Sequence, residues 1–157
     1  MGFDPGYDRL GWAVLDTSNR QKPTIIDYGC ILTNKSEELH QRYTEILEQT
    51  KTLIEKHQPQ TAAIESLIFN TNKTTAIRVS EVRGLILSQL LVTGCDVAEY
   101  SPPQIKLAVT GYGRADKAAV AKMVELQFGL TGKRLLDDTI DALAVALTHA
   151  LIYKEEI

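Results

Sequence analysis

The order of the apolar runs limits what this chain can fold into. A very short run, Met1-Gly2-Phe3, is followed by two β-type segments at 11–16 and 24–33, joined by the turn Asn19-Arg20-Gln21-Lys22-Pro23. Residues 36–56 then switch to helical spacing. Leu39, Tyr43, Ile46, Leu47 and Ile54 form an apolar stripe, Glu37 and Glu38 suit the N-terminal dipole, and Gln58-Pro59 is a stop signal. A buried strand at 61–65, a long helix at 73–91 and a strand at 96–100 halted by Pro102-Pro103 come next. Helices at 104–109, 116–128 and 138–153 complete the chain, with Gly111-Tyr112-Gly113 as a loop. Three early strands, an alternation, then several helices predict an α/β chain: a mixed five-stranded sheet flanked by helices on both faces. A length of 157 residues suits a single domain, 1–157, with its own core.

Four carboxylates stand at the ends of these elements. Asp4 sits between the first apolar run and a Pro5-Gly6 turn, and Glu65 ends the run Ala62-Ala63-Ile64. Asp138 and Asp141 are three apart at the start of the last helix, so they share one face. Taken singly, these are a turn, a solvated strand end and a helix start with favourable acids. Taken together, two acids at strand ends and two on a helix can meet, and four anions meet only where something neutralises them. Two hard divalent cations with oxygen ligands would do so. Asp137 complicates the pair, because it is i,i+4 from Asp141 and helical spacing admits either partner. If Asp138 is the partner, Asp137 falls about 100° round the helix or just before it, where it can cap the N-terminus.

Composition narrows the partners. The net charge is −3, but residues 66–122 carry seven basic and four acidic side chains, so a cationic face is available. No apolar stretch approaches a membrane span and no signal peptide is visible, so the expected location is cytoplasmic. Cys30 and Cys95 lack metal-ligand spacing and are expected to be small buried residues. His40 and His57 are expected to face solvent, and His149 to lie far down the last helix from the acids.

These motifs resemble the RuvC Holliday junction resolvases essentially from end to end. The resemblance is carried by Gly2-Phe3-Asp4-Pro5-Gly6, Ala63-Ile64-Glu65, the stretch from Asn72 to Arg83-Gly84, Tyr100-Ser101-Pro102-Pro103-Gln104-Ile105-Lys106, Gly111 to Lys117, and Asp138-Thr139-Ile140-Asp141-Ala142-Leu143-Ala144. It implies an RNase H-like fold and a homodimeric endonuclease that binds four-way junction DNA in homologous recombination and DNA repair. Such an enzyme nicks two strands of like polarity, using Mg²⁺ (two ions, with Mn²⁺ able to substitute). One ion would generate the nucleophile from water and the other would stabilise the leaving 3′ oxygen. The resemblance also implies that Asp4, Glu65, Asp138 and Asp141 are the metal ligands, and it selects Asp138 over Asp137. Lys106 and Lys117 fall at its phosphate-contacting positions, with Lys117 assigned to the scissile phosphate. Arg114 and Lys122 would extend that DNA surface, and Phe69 would stack on an unpaired base. The RuvA–RuvB branch-migration complex is the implied protein partner.

Other readings remain open at this point. One is a junction-binding protein with little cleavage, against which the acids argue. Another is an RNase H-like nuclease acting on RNA, as in the YqgF group. A third is an actin-like ATP-binding half, for which 157 residues leave no second lobe.

Overall fold

The computed structural model describes residues 1–19, 21–67 and 73–154. Its strands are β1 (Gly2–Asp4), β2 (Arg9–Asp16), β3 (Thr24–Leu32), β4 (Thr61–Glu65) and β5 (Asp96–Tyr100). Among the described residues they form one sheet in the order β3-β2-β1-β4-β5. The first three strands are antiparallel neighbours, whereas β1–β4 and β4–β5 are parallel, so the sheet is mixed as expected. The helices are α1 (Leu39–His57), α2 (Lys73–Val92), α3 (Pro102–Thr110), α4 (Lys117–Phe128) and α5 (Asp137–Ile152).

Strand alternation divides the core in two. Phe3, Leu10, Val14, Ala62 and Ile64 face one side, where they pack with Ile46 and Ile54 of α1 and Val82, Ile86 and Leu90 of α2. Ala13 and Ala63 face the other side, against α3, α4 and the Ala- and Leu-rich α5. Burying a Leu or Val such as Leu143 or Val145 contributes about 1.5–3 kcal/mol. By the same alternation, Gly2, Asp4, Gly11 and Glu65 belong to the α5 side.

Glycine lets α5 lie directly on the sheet. A Cβ at Gly2 would stand 2.5 Å from the Ala146 backbone nitrogen, and one at Gly11 would stand 1.8 Å from the Asp138 backbone oxygen. The start of α5 is thereby seated over β2, beside the strand that carries Asp4.

Element ends differ from expectation where caps decide them. α1 begins three residues late, at Leu39, with Glu38 as its N-cap and Gln41 Oε1 accepting from the Glu38 N–H at 3.2 Å. Pro102 and Pro103 do not merely stop β5. They open α3, where a missing N–H costs nothing, behind the N-cap Ser101. Asp116 lies outside α4 and caps it, accepting from the Ala119 N–H at 2.7 Å. Asp137 is not a cap: Leu136 holds that position and Asp137 is already helical. β2 starts at Arg9, two residues before the expected strand.

One histidine also differs. The His57 side chain is only 8 % exposed, with Nε2 3.1 Å from Asp27 Oδ2, so it does not face solvent. His149 is buried and bonded at both ring nitrogens. His40 is exposed as expected, Cys95 is buried and Cys30 is half-buried.

Candidate active site

The register of the sheet brings the two strand acids together. β1 and β4 pair in parallel as Gly2 with Ala63 and Phe3 with Ile64, so Asp4 and Glu65 follow as the next residues on neighbouring strands and the same face. Across β1, Asp4 pairs with Gly11, the residue on which the Asp138 backbone rests. Asp141 lies one turn further along α5, on the side of Asp138.

The electrostatics register this convergence. Burial, and then repulsion from Asp141, Glu65 and Asp138, pushes the Asp4 carboxyl up to about 8, while Lys117 opposes the rise. Glu65 is also raised, first by burial and then by Asp141, with Lys117 and Lys106 pulling the other way. Burial raises Asp141 despite its hydrogen bond from Lys117. Asp137, by contrast, is 75 % exposed and is absent from the charges that raise Asp4.

Nearby acids outside the cluster already have partners. Asp8, four residues after Asp4, is ion-paired with Arg42 and Lys35, and the Arg42 hydrogen bond holds its carboxyl low. The buried Arg42 also donates to the Tyr7 backbone oxygen at 2.8 Å and to Thr33 Oγ1 at 2.9 Å. These bonds pin the loop that follows Asp4.

Two cations engage the helical acids. Lys117, the first residue of α4, donates from Nζ to Asp141 Oδ2 at 2.8 Å and lies 3.7 Å from Asp137, and the Asp141 bond raises its own pKa. Arg9 donates from an η nitrogen to Asp138 Oδ2 at 3.4 Å. Among the described residues, no three His, Cys, Asp or Glu side chains stand together within metal-holding reach in this arrangement. The donor chemistry nevertheless fits hard divalent cations. The four groups are all carboxylates, and burial first, then repulsion from the other three, raises the pKa of the most buried of them.

Lys106 and Lys117 share a cleft of about 250 Å³ with Glu65, Pro102, Ile105, Val120, Asp141 and Ala144. Arg114 and Lys122 are exposed and do not line that cleft. Lys122, five positions after Lys117, projects about 140° away round α4. Phe69 lies outside the described residues.

Sequence reasoning passed over Arg9 and read Cys30 only as a small buried residue. Cys30 pairs with Gly11, and its thiol is pushed up to about 11 by burial and then by Asp138. Arg9 could have been found by running the strand alternation of β2 two residues further towards its start. That step places Arg9 on the face of Gly11.

Comparison with known proteins decides the family. The profile for "Crossover junction endodeoxyribonuclease RuvC" matches residues 1–149.

The chain belongs to the RuvC family.

It is 44 % identical over 149 residues to the RuvC crossover junction endodeoxyribonuclease of Petrotoga mobilis, covering 95 % of this chain and 91 % of that protein. It is 42 % identical to the Brachyspira hyodysenteriae RuvC enzyme, covering 96 % and 92 %. Among solved structures it resembles Thermus thermophilus RuvC in complex with a Holliday junction substrate, with a TM-score of 0.88 at 31 % identity and coverage of 96 % and 91 %. The yeast mitochondrial Holliday junction resolvase matches with a TM-score of 0.70 at 13 % identity, covering 96 % of this chain and 78 % of that one. At that identity the likeness shows a shared RNase H-like fold alone.

Proposed function

We propose that this RuvC-family chain is a structure-selective endonuclease that resolves four-way DNA junctions in recombination and repair. Paired nicks in two strands of like polarity would do this. The observation that carries the reading is the placement of Asp4 and Glu65 side by side on β1 and β4, beneath the start of α5 that carries Asp138 and Asp141. Burial, and repulsion from the other three acids, raise the Asp4 carboxyl, and such a setting favours a bound positive charge.

Asp4, Glu65, Asp138 and Asp141 would hold Mg²⁺, two ions per site, with Mn²⁺ able to substitute. When bound, such ions activate a water and stabilise the leaving 3′ oxygen of a phosphodiester. The chain's own groups do the rest. Lys117 lies against Asp141 and can turn to the scissile phosphate, where it would offset the charge developing in the transition state. Lys106, which lines the same cleft, would fix the strand through a neighbouring phosphate. Arg114 and Lys122 would contact DNA away from the cut, and Phe69 would stack on a base at the crossover.

Two symmetric nicks need two sites, and α2 offers the means to pair them. Val82, Ile86 and Leu90 are buried against the sheet, while Ile77 and Leu91 are exposed. Ile77, Gly84 and Leu91 follow at intervals of seven residues on the opposite face, and a Cβ at Gly84 would meet nothing within 4 Å. A second copy of α2 on that stripe would form a homodimer. The RuvA–RuvB complex is the family's implied partner for branch migration.

Incubation of the protein with a synthetic four-way junction and with a duplex of the same sequence, with and without Mg²⁺, tests the reading. Expected are symmetric nicks in the junction alone, dependent on Mg²⁺. Junction binding without nicking at any divalent metal would replace the enzyme with a binding protein. A monomer by sedimentation at micromolar concentration would remove the paired-site part.

A further inference from the structure

Arg9 is exposed, opens β2 and faces the acid cluster, yet no role above absorbs it. Its side chain is 49 % exposed, and its reach of 3.4 Å to Asp138 Oδ2 is long for a charge-assisted bond. Lys117 holds Asp141 more closely, at 2.8 Å, and has Asp137 as a second acid. Each helical acid that points into the cluster thus has its own cation, and the one on Asp138 is the looser.

Exposed ion pairs of this kind are weak. A divalent cation offers Asp138 a stronger partner, so displacing Arg9 costs little. The displaced guanidinium stays anchored at the first residue of β2, beside Gly11 and the start of α5. It carries five donors in a planar fork that matches phosphate oxygens.

The geometry points to Arg9 as an exchange residue: it holds Asp138 until a divalent cation takes that carboxylate, and then contacts a DNA phosphate beside the cleaved bond. This rests on the reading of Asp4, Glu65, Asp138 and Asp141 as metal ligands. It gives the acidic chain a cation that is delivered to DNA only when the site is loaded. Arg9 is a positioning residue for Asp138 in the free protein and a phosphate contact in the complex.

Two measurements test it, neither of them turnover. Mn²⁺ binding to the free protein is followed by calorimetry. Junction binding in Ca²⁺ is followed by anisotropy across a salt series. Arg9→Gln is expected to bind Mn²⁺ about two- to fivefold more tightly, because Asp138 loses its competitor. It is expected to lower the salt slope of junction binding by about 0.9, the value of one lost phosphate contact. Arg9→Lys should restore the slope. If Arg9→Gln leaves either quantity unchanged, the inference is overturned. Asp138→Asn separates the two layers. If it leaves Mn²⁺ binding intact, the ligand reading fails and Arg9 falls with it. If it weakens Mn²⁺ binding while Arg9→Gln alters nothing, only the Arg9 inference fails.

Discussion

The two ends of α5 lie on the same sheet and treat buried polarity in opposite ways. At the N-terminal end, Asp138 and Asp141 are 25 % and 28 % exposed, crowd Asp4 and lean on two exposed cations. At the C-terminal end, His149 shares hydrogen bonds with Tyr100 at 3.0 Å through Nδ1 and with Thr61 at 2.8 Å through Nε2, and its ring lies 4.4 Å from that of Tyr153. Burial pushes the His149 pKa down to about 4, so the ring is neutral, and both its nitrogens are satisfied. One end carries more charge than it can compensate, whereas the other buries a neutral, paired ring. Polar groups that serve stability are matched inside the fold, whereas those that serve chemistry are left for a ligand to match.

Substitution at the acidic end should give the largest effect. Asp138→Asn is expected to take junction nicking to background while retaining or strengthening junction binding, because it removes negative charge facing phosphate. Asp137→Asn should leave nicking within a few-fold of normal, since Asp137 is exposed and stands outside the group that raises Asp4. A nicking time course on both variants decides this, and the reverse result would move the site by one residue.

At the other end, His149→Ala should cost stability and spare the metal site. It leaves the Tyr100 and Thr61 hydroxyls without their ring partner, at about 1–3 kcal/mol for each group left unsatisfied. For a chain of this size that lowers the melting temperature by several degrees. Loss of Mn²⁺ binding at an unchanged melting temperature would show that the two ends are not independent.

The pH dependence of stability should show a pair of limbs of opposite sign. His149 titrates at about 4 in the fold against 6.5 unfolded, so the unfolded chain binds the extra proton between these values. The stability it contributes is complete above pH 6.5 and is lost as pH falls towards 4. Asp4 titrates at about 8 in the fold against 3.8 unfolded, so here the native state holds the extra proton. In metal-free protein, stability should therefore fall as pH rises from 4 to 8. Urea melts across this range should show the second limb vanish in Asp4→Asn and shrink when Mg²⁺ is added. Parallel curves for wild type and Asp4→Asn would mean that Asp4 is not under the pressure described.

Much of this was legible in the residue order. The alternation of Ala62, Ala63, Ile64 and Glu65 already assigns Glu65 to one face of β4, and the spacing of Asp138 and Asp141 assigns both to one side of α5. The element order likewise implied a mixed sheet with helices on both faces. These are local regularities, with periods of about 2 and 3.6 residues, and they need only the residues themselves. Cap positions were harder to read. Asp116 and Asp137 both precede apolar helical runs, but Asp116 caps α4 whereas Leu136 takes that place before Asp137.

What the sequence could not decide is which distant groups meet. Arg9 and Asp138 are 129 positions apart, Thr61 and His149 are 88 apart, and Lys56 and His57, at the far end of α1, close on Asp27 of β3. No local pattern encodes such pairs. They follow from the β1–β4 register, which sets Asp4 beside Glu65, and from two bare glycines that let the backbone of α5 settle onto β1 and β2. Residue types and spacing determined which faces carry acid, cation and apolar surface. Close packing of α5 on the sheet, a three-dimensional contact between segments far apart in the chain, decided that Asp138 and Asp141 lie over the strands that carry Asp4 and Glu65 and that Arg9 stands against Asp138.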